Sequence, residues 1–117
     1  MKNNIAAISI DQKKGRIRVY KKTLHLLGDP DYIQLLVNPE DLFIAIRPVG
    51  KKAKLAHKVD WENTLNTSHS SFELYSKNLI ETLAKVCPQW NKSKNYRLTG
   101  EIIESENVAM FDLKSIV

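Results

Sequence analysis

Two stretches of this chain can be laid over one another, and that constrains its fold more than any single motif does. Arg18-Val19-Tyr20-Lys21-Lys22-Thr23-Leu24 aligns with Glu73-Leu74-Tyr75-Ser76-Lys77-Asn78-Leu79 at an offset of 55 residues. Further on, Tyr32-Ile33-Gln34-Leu35 aligns with Tyr96-Arg97-Leu98-Thr99, and Ile44-Ala45-Ile46 with Val108-Ala109-Met110, both at an offset of 64. The change in offset places extra residues in the helix and loop of the second copy. Recurrence at a fixed spacing is the mark of a repeated supersecondary unit. Generic strand–turn–strand stretches also align by chance, so superposition of the halves is the test.

Local patterning gives each copy the same elements. Ile5 to Ile10 is short, apolar and rich in β-branched residues, which predicts a strand. Asp11 to Gly15 is a turn, because Asp11 can bond its own backbone and Gly15 can take positive φ. Arg16 to Tyr20 alternates charged and apolar residues, the period of a half-buried strand with Ile17 and Val19 inward. A short helix over Lys21 to Leu27 ends at Gly28. Strands follow at Tyr32–Val37 and Leu42–Ile46 around an Asn38-Pro39 turn. In the second copy, Phe72–Tyr75 is a strand and Ser76 an N-cap. The helix behind Ser76 buries Leu79, Ile80, Leu83, Ala84 and Cys87. Strands at Asn95–Ile103, with Gly100 at a bulge, and at Val108–Phe111 complete the copy. The expectation is one α+β domain over residues 1–117, mainly β with two short helices, closed into a barrel-like body. Its units are residues 4–48 and 72–117. A polar connection over residues 49–71 carries some structure around Leu55, Val59 and Trp61, with Trp61 as a packing anchor. The aromatics Tyr20, Tyr32, Phe43, Tyr75, Tyr96 and Phe111 read as core.

Charge divides unevenly between the halves. Residues 1–58 hold 12 Lys and Arg against 5 Asp and Glu, whereas residues 59–117 hold 6 against 8. Such asymmetry points either to a polyanion-facing side or to a solubilising surface. No apolar run approaches the length of a membrane span. The single Cys87 excludes an internal disulfide, and a cytoplasmic setting is expected.

Residues 5–48 resemble the AbrB-type (swapped-hairpin) DNA-binding family. The matching letters are Asp11, Gly15-Arg16-Ile17, Leu24, Leu27-Gly28 and Ile44-Ala45-Ile46-Arg47-Pro48. In that family two such units interlock into one barrel-like body. The resemblance therefore implies an intrachain tandem of two diverged units. It also implies a DNA-binding role, as in a transcriptional regulator, with basic residues of the glycine turn and second strand approaching the duplex. By position these are Lys13, Lys14, Arg16 and Arg18, to which Lys21, Lys22 and Arg47 are added as neighbouring cations. The chain departs from the family in having Val19-Tyr20 where Ile-Pro is usual, His25 where Arg is common, and Ser71-Phe72-Glu73 in the second copy's basic strand. DNA binding would then need an asymmetric footprint or a homodimer.

Six cations on one ridge suit a phosphate backbone, and six neutralised phosphates would give a log–log salt slope of about −5. The competing expectation is a protein-interaction module or an inhibitor from a mobile element, acting on a protein that handles nucleic acid. A third reading is an edge hairpin kept soluble by its charges. Nothing in the sequence builds an enzyme. His25, His57 and His69 lack metal spacing, with His57 and His69 expected in solvent. Cys87 reads as a small core residue, and Ser70 and Ser71 lack a nucleophile elbow. Glu101, Glu104 and Glu106 read as a solvated strand end and turn. No metal or cofactor is expected.

Overall fold

Alternation of apolar and polar residues decides the first hairpin. The computed structural model describes residues 5–61, 71–91 and 93–115. In it β1 (Ile5–Asp11) and β2 (Arg16–Tyr20) pair antiparallel. Ala6, Ile8, Ile10, Ile17 and Val19 are buried in the core, while Arg16, Arg18 and Tyr20 take the other face of β2. Asp11 Oδ1 accepts the Lys14 N–H at 3.1 Å, and Gly15 takes a φ of 64°, as the turn requires.

Helix α1 (Lys21–Leu26) begins where β2 stops. Buried Thr23 takes over the lost ladder: its Oγ1 accepts the Ala7 N–H at 2.8 Å and donates to the Ala7 carbonyl at 2.9 Å. Gly28, at a φ of 89°, and the Asp29 N–H bonded to the Leu24 carbonyl end the helix. Strands β3 (Tyr32–Asn38) and β4 (Phe43–Pro48) form the next hairpin, whose turn is held by Asn38 Oδ1 accepting the N–H groups of Glu40 and Asp41.

The connection is not wholly irregular. It contains β5 (His57–Lys58), which pairs with Tyr32 and Ile33 of β3. Val59 is buried, and Trp61 Nε1 donates to the Pro30 carbonyl at 2.9 Å, so Trp61 is the anchor expected of it. Leu55 is exposed. His57, expected in solvent, is half-buried instead, because strand pairing draws it against β3. His69 and Ser70 lie outside the described residues.

The order strand, helix, strand, strand then recurs as β6 (Ser71–Tyr75), α2 (Lys77–Val86), β7 (Asn95–Ile103) and β8 (Val108–Asp112). Ser76 caps α2, its Oγ accepting the Leu79 N–H at 3.3 Å. Among the described residues the eight strands form one antiparallel sheet in the order β5-β3-β4-β8-β7-β1-β2-β6, curled into a nearly closed barrel. The two halves meet strand to strand at three seams, β2 with β6, β1 with β7 and β4 with β8. No helix among the described residues is long and apolar enough to cross a membrane.

Two expectations change on physical grounds. The β1–β2 hairpin is not an edge: β6 covers one side of it and β7 the other. Gly100 is not at a bulge, because pairing runs unbroken through it to Ala6 and to Phe111. A Cβ at position 100 would lie 2.1 Å from the Met110 carbonyl oxygen and 2.7 Å from Phe111 Cδ1, so close approach excludes a side chain there.

Candidate nucleic-acid interface

The outer wall formed by β6, β2, β1 and β7 gathers charge from both halves of the chain. Register places Arg18 of β2 opposite Glu73 of β6 and opposite Ser9 of β1, and Ser9 opposite Arg97 of β7. One row across the wall is therefore Glu73, Arg18, Ser9, Arg97. The next is Tyr75, Arg16, Asp11, Asn95.

The two arginines expected to face a ligand are already engaged. Arg16 Nη2 lies 3.2 Å from Asp11 Oδ2, and its Nη1 3.8 Å from Glu73 Oε2. Arg18 Nε donates to Glu73 Oε1 at 3.1 Å. The Arg16 side chain is only 13% exposed and that of Arg18 28%. Burial of Arg16 in this geometry makes it a structural ion more than a free probe.

On this wall, the cations without an ion pair among the described residues lie in and near the glycine turn. Lys13 and Lys14 are exposed in the turn itself. The Ser76 N–H bonds the Gly15 carbonyl at 3.3 Å, which brings exposed Lys77 beside that turn. Asn95 pairs with Asp11, so exposed Lys94 sits there too. Arg97, also exposed, lies with its guanidinium carbon 5.0 Å from the centroid of the Tyr20 ring, and the Tyr20 hydroxyl hydrogen-bonds Ser9 Oγ at 2.7 Å. Lys13, Lys14, Lys77, Lys94 and Arg97 make no ion pair among the described residues.

The remaining expected residues lie elsewhere. Lys21 and Lys22 are on α1, at the opposite end of β2 from the glycine turn. Arg47 is on β4, on another wall, where its Nε donates to Gln34 Oε1 at 2.8 Å. The single ridge of six cations is thus divided between two ends of β2. Lys77, Lys94 and Arg97 were not singled out in the sequence, because they belong to the net-acidic half. The signal available was Arg97 alternating with Tyr96 and Leu98 along its strand.

Tyr20 and Tyr75, expected in the core, are on this outer wall. Tyr20 is half-buried, and Tyr75 is 65% exposed with its hydroxyl donating to Glu73 Oε2 at 3.3 Å. The period of two that sends Val19 and Leu74 inward sends their tyrosine neighbours outward.

Among the described residues, the groups that could serve other chemistry stand apart from one another. Burial lowers the His57 pKa below its ordinary value and pushes the Cys87 thiol up, the reverse of an activated nucleophile. Ser71 is buried in β6, and Glu101, Glu104 and Glu106 are exposed at the end of β7 and in the turn after it. No three His, Cys, Asp or Glu side chains come together as a metal site among the described residues. His25 pairs with Asp29 and stacks against Trp61, tying the connection to the α1–β3 corner. A cavity of about 640 Å³ beside Trp61 is lined by Asp31, Tyr32, Lys58, Val59 and Asp60. Comparison with known protein families, curated proteins and solved structures finds no match to this chain.

Proposed function

We propose that this is a DNA-binding protein, of the kind that regulates transcription, whose β2–β1–β7 wall and glycine turn grip the phosphate backbone. One observation carries the reading. Lys13, Lys14, Arg16, Arg18, Lys77, Lys94 and Arg97 meet there against Asp11 and Glu73, with Glu101 farther along the outward face of β7, and five of the seven cations have no carboxylate partner among the described residues. An excess of positive charge on one wall attracts a polyanion and steers its approach. The resemblance of residues 5–48 to AbrB-type units supports the same reading and the view of the chain as a tandem of two such units. The footprint is asymmetric, drawing on both units without repeating either.

Phosphate contacts position a protein and carry no sequence information of their own. With the Arg16 fork held by Asp11 and Glu73 and the Arg18 Nε held by Glu73, base-edge readout is the lesser part of binding. The test is titration of labelled random-sequence DNA at several salt concentrations. Five neutralised phosphates predict a log–log slope of about −4.5 on duplex. Absence of binding at low salt would sink the proposal.

The alternative, a protein-interaction module, has one feature in its favour. Leu36, Ala45 and Met110 form an outward row across β3, β4 and β8, and Leu36 is exposed. Stoichiometric capture of one protein, together with failure to bind DNA, would select that reading.

A further inference from the structure

Resting on that reading, we infer that the preferred ligand of this wall is single-stranded nucleic acid, whose bases stack on Tyr75 and on the Arg97–Tyr20 pair. Outward positions of a strand facing water ordinarily carry polar side chains. Here β6 presents a tyrosine ring that is 65% exposed, with its hydroxyl tied to Glu73. Across the wall, Arg97 lies over the Tyr20 ring, which is fixed in turn by the bond to Ser9. That leaves the planar guanidinium of an exposed arginine as a second stacking surface.

The layout matches a nucleotide chain. Three strand spacings separate β6 from β7, about 14 Å at the ordinary interval. Arg18 lies between the two platforms. Its Nε is spent on Glu73, but its two terminal nitrogens make no ion pair among the described residues and can meet a phosphate. The cations at the glycine turn then continue the backbone track. Exposed rings beside cations are how sequence-tolerant single-strand binders work, since every base has a π-face. A duplex keeps those faces inside its stack, so Tyr75 would contribute nothing to duplex binding. The Arg16 fork, which would read a base edge in a major groove, is already held by Asp11 and Glu73.

The experiment compares a labelled single-stranded oligothymidylate with a labelled random duplex of equal length. Each is titrated by anisotropy against the wild-type chain, Tyr75→Ala and Tyr75→Phe. Circular dichroism confirms that the variants fold, as expected for an exposed side chain. Tighter binding of the single strand is expected, with a loss of about tenfold in Tyr75→Ala. Tyr75→Phe should restore that binding, and duplex affinity should stay within about twofold of wild type throughout. Equal or tighter duplex binding, or single-strand binding indifferent to Tyr75→Ala, would overturn the stacking inference and leave the nucleic-acid reading standing. No binding to either probe at low salt would overturn both.

Discussion

Arg18 and Glu73 sit directly opposite one another on β2 and β6, joined by a 3.1 Å bond from the guanidinium Nε to the carboxylate. They also occupy corresponding places in the two aligned stretches, 55 residues apart. Glu73 lies 3.8 Å from Arg16 as well, so one carboxylate of the second half holds two cations of the first. The opposite charges of the halves therefore meet at this seam, and part of the sequence asymmetry is resolved inside the molecule.

Removing that carboxylate should have two effects of opposite sign. Glu73→Gln should lower stability by about 1 kcal/mol, since the pairs are partly solvated. It should also raise DNA affinity severalfold, by removing a negative charge from the wall and freeing Arg18, while Asp11 keeps its hold on Arg16. Denaturant unfolding reads the first effect and a binding titration the second. A parallel fall in both would contradict the account.

Arg16→Ala with Arg18→Ala should act mainly on folding. Arg16 is largely buried between Asp11 and Glu73, so the double substitution leaves both carboxylates without an arginine partner. A destabilisation of about 2 kcal/mol is expected. At temperatures where the variant is folded, affinity should fall less than in Lys94→Ala/Arg97→Ala.

Gly100→Ala should be severe. The added methyl meets the Met110 carbonyl and the Phe111 ring well inside contact distance. Both neighbours are fixed by pairing to β4, so neither can move aside cheaply. A loss of more than about 2 kcal/mol is expected in equilibrium unfolding.

Stability should also depend on His57. Its pKa in the fold is lowered by burial, so the unfolded chain binds the proton more readily. The stabilisation is complete above the ordinary histidine value of about 6.5 and is lost as pH falls through the lowered folded value. His57→Gln should flatten that part of the pH–stability curve. Loss of stability on raising the pH through the same range would have the wrong sign.

The strands were legible in the sequence because their period of two is strong, as in Ile17 and Val19 against Arg16 and Arg18. The caps were legible because Gly28 and Ser76 are local signals. What composition could not show is which distant strands lie side by side. Pairing of β1 with β7 brings Lys94 and Arg97 to the glycine turn, and no local pattern encodes that pairing. The tyrosines misled for a related reason. Aromatic residues on strands usually mean core, but Tyr20 and Tyr75 each follow an inward residue and so face outward. His57 was drawn in by β5, whose two residues are too few to carry a period.

The central claim is that the wall binds nucleic acid and net charge alone does not. Two charge-reversal pairs of equal size test it: Lys94→Glu/Arg97→Glu on the wall, and Lys51→Glu/Lys52→Glu, exposed in the segment after β4. Affinity for labelled DNA is measured across a salt series for both. The wall pair should lose about a hundredfold at low salt and shed about two from the log–log slope. The other pair should stay within about threefold of wild type. Equal losses in both pairs would contradict the account.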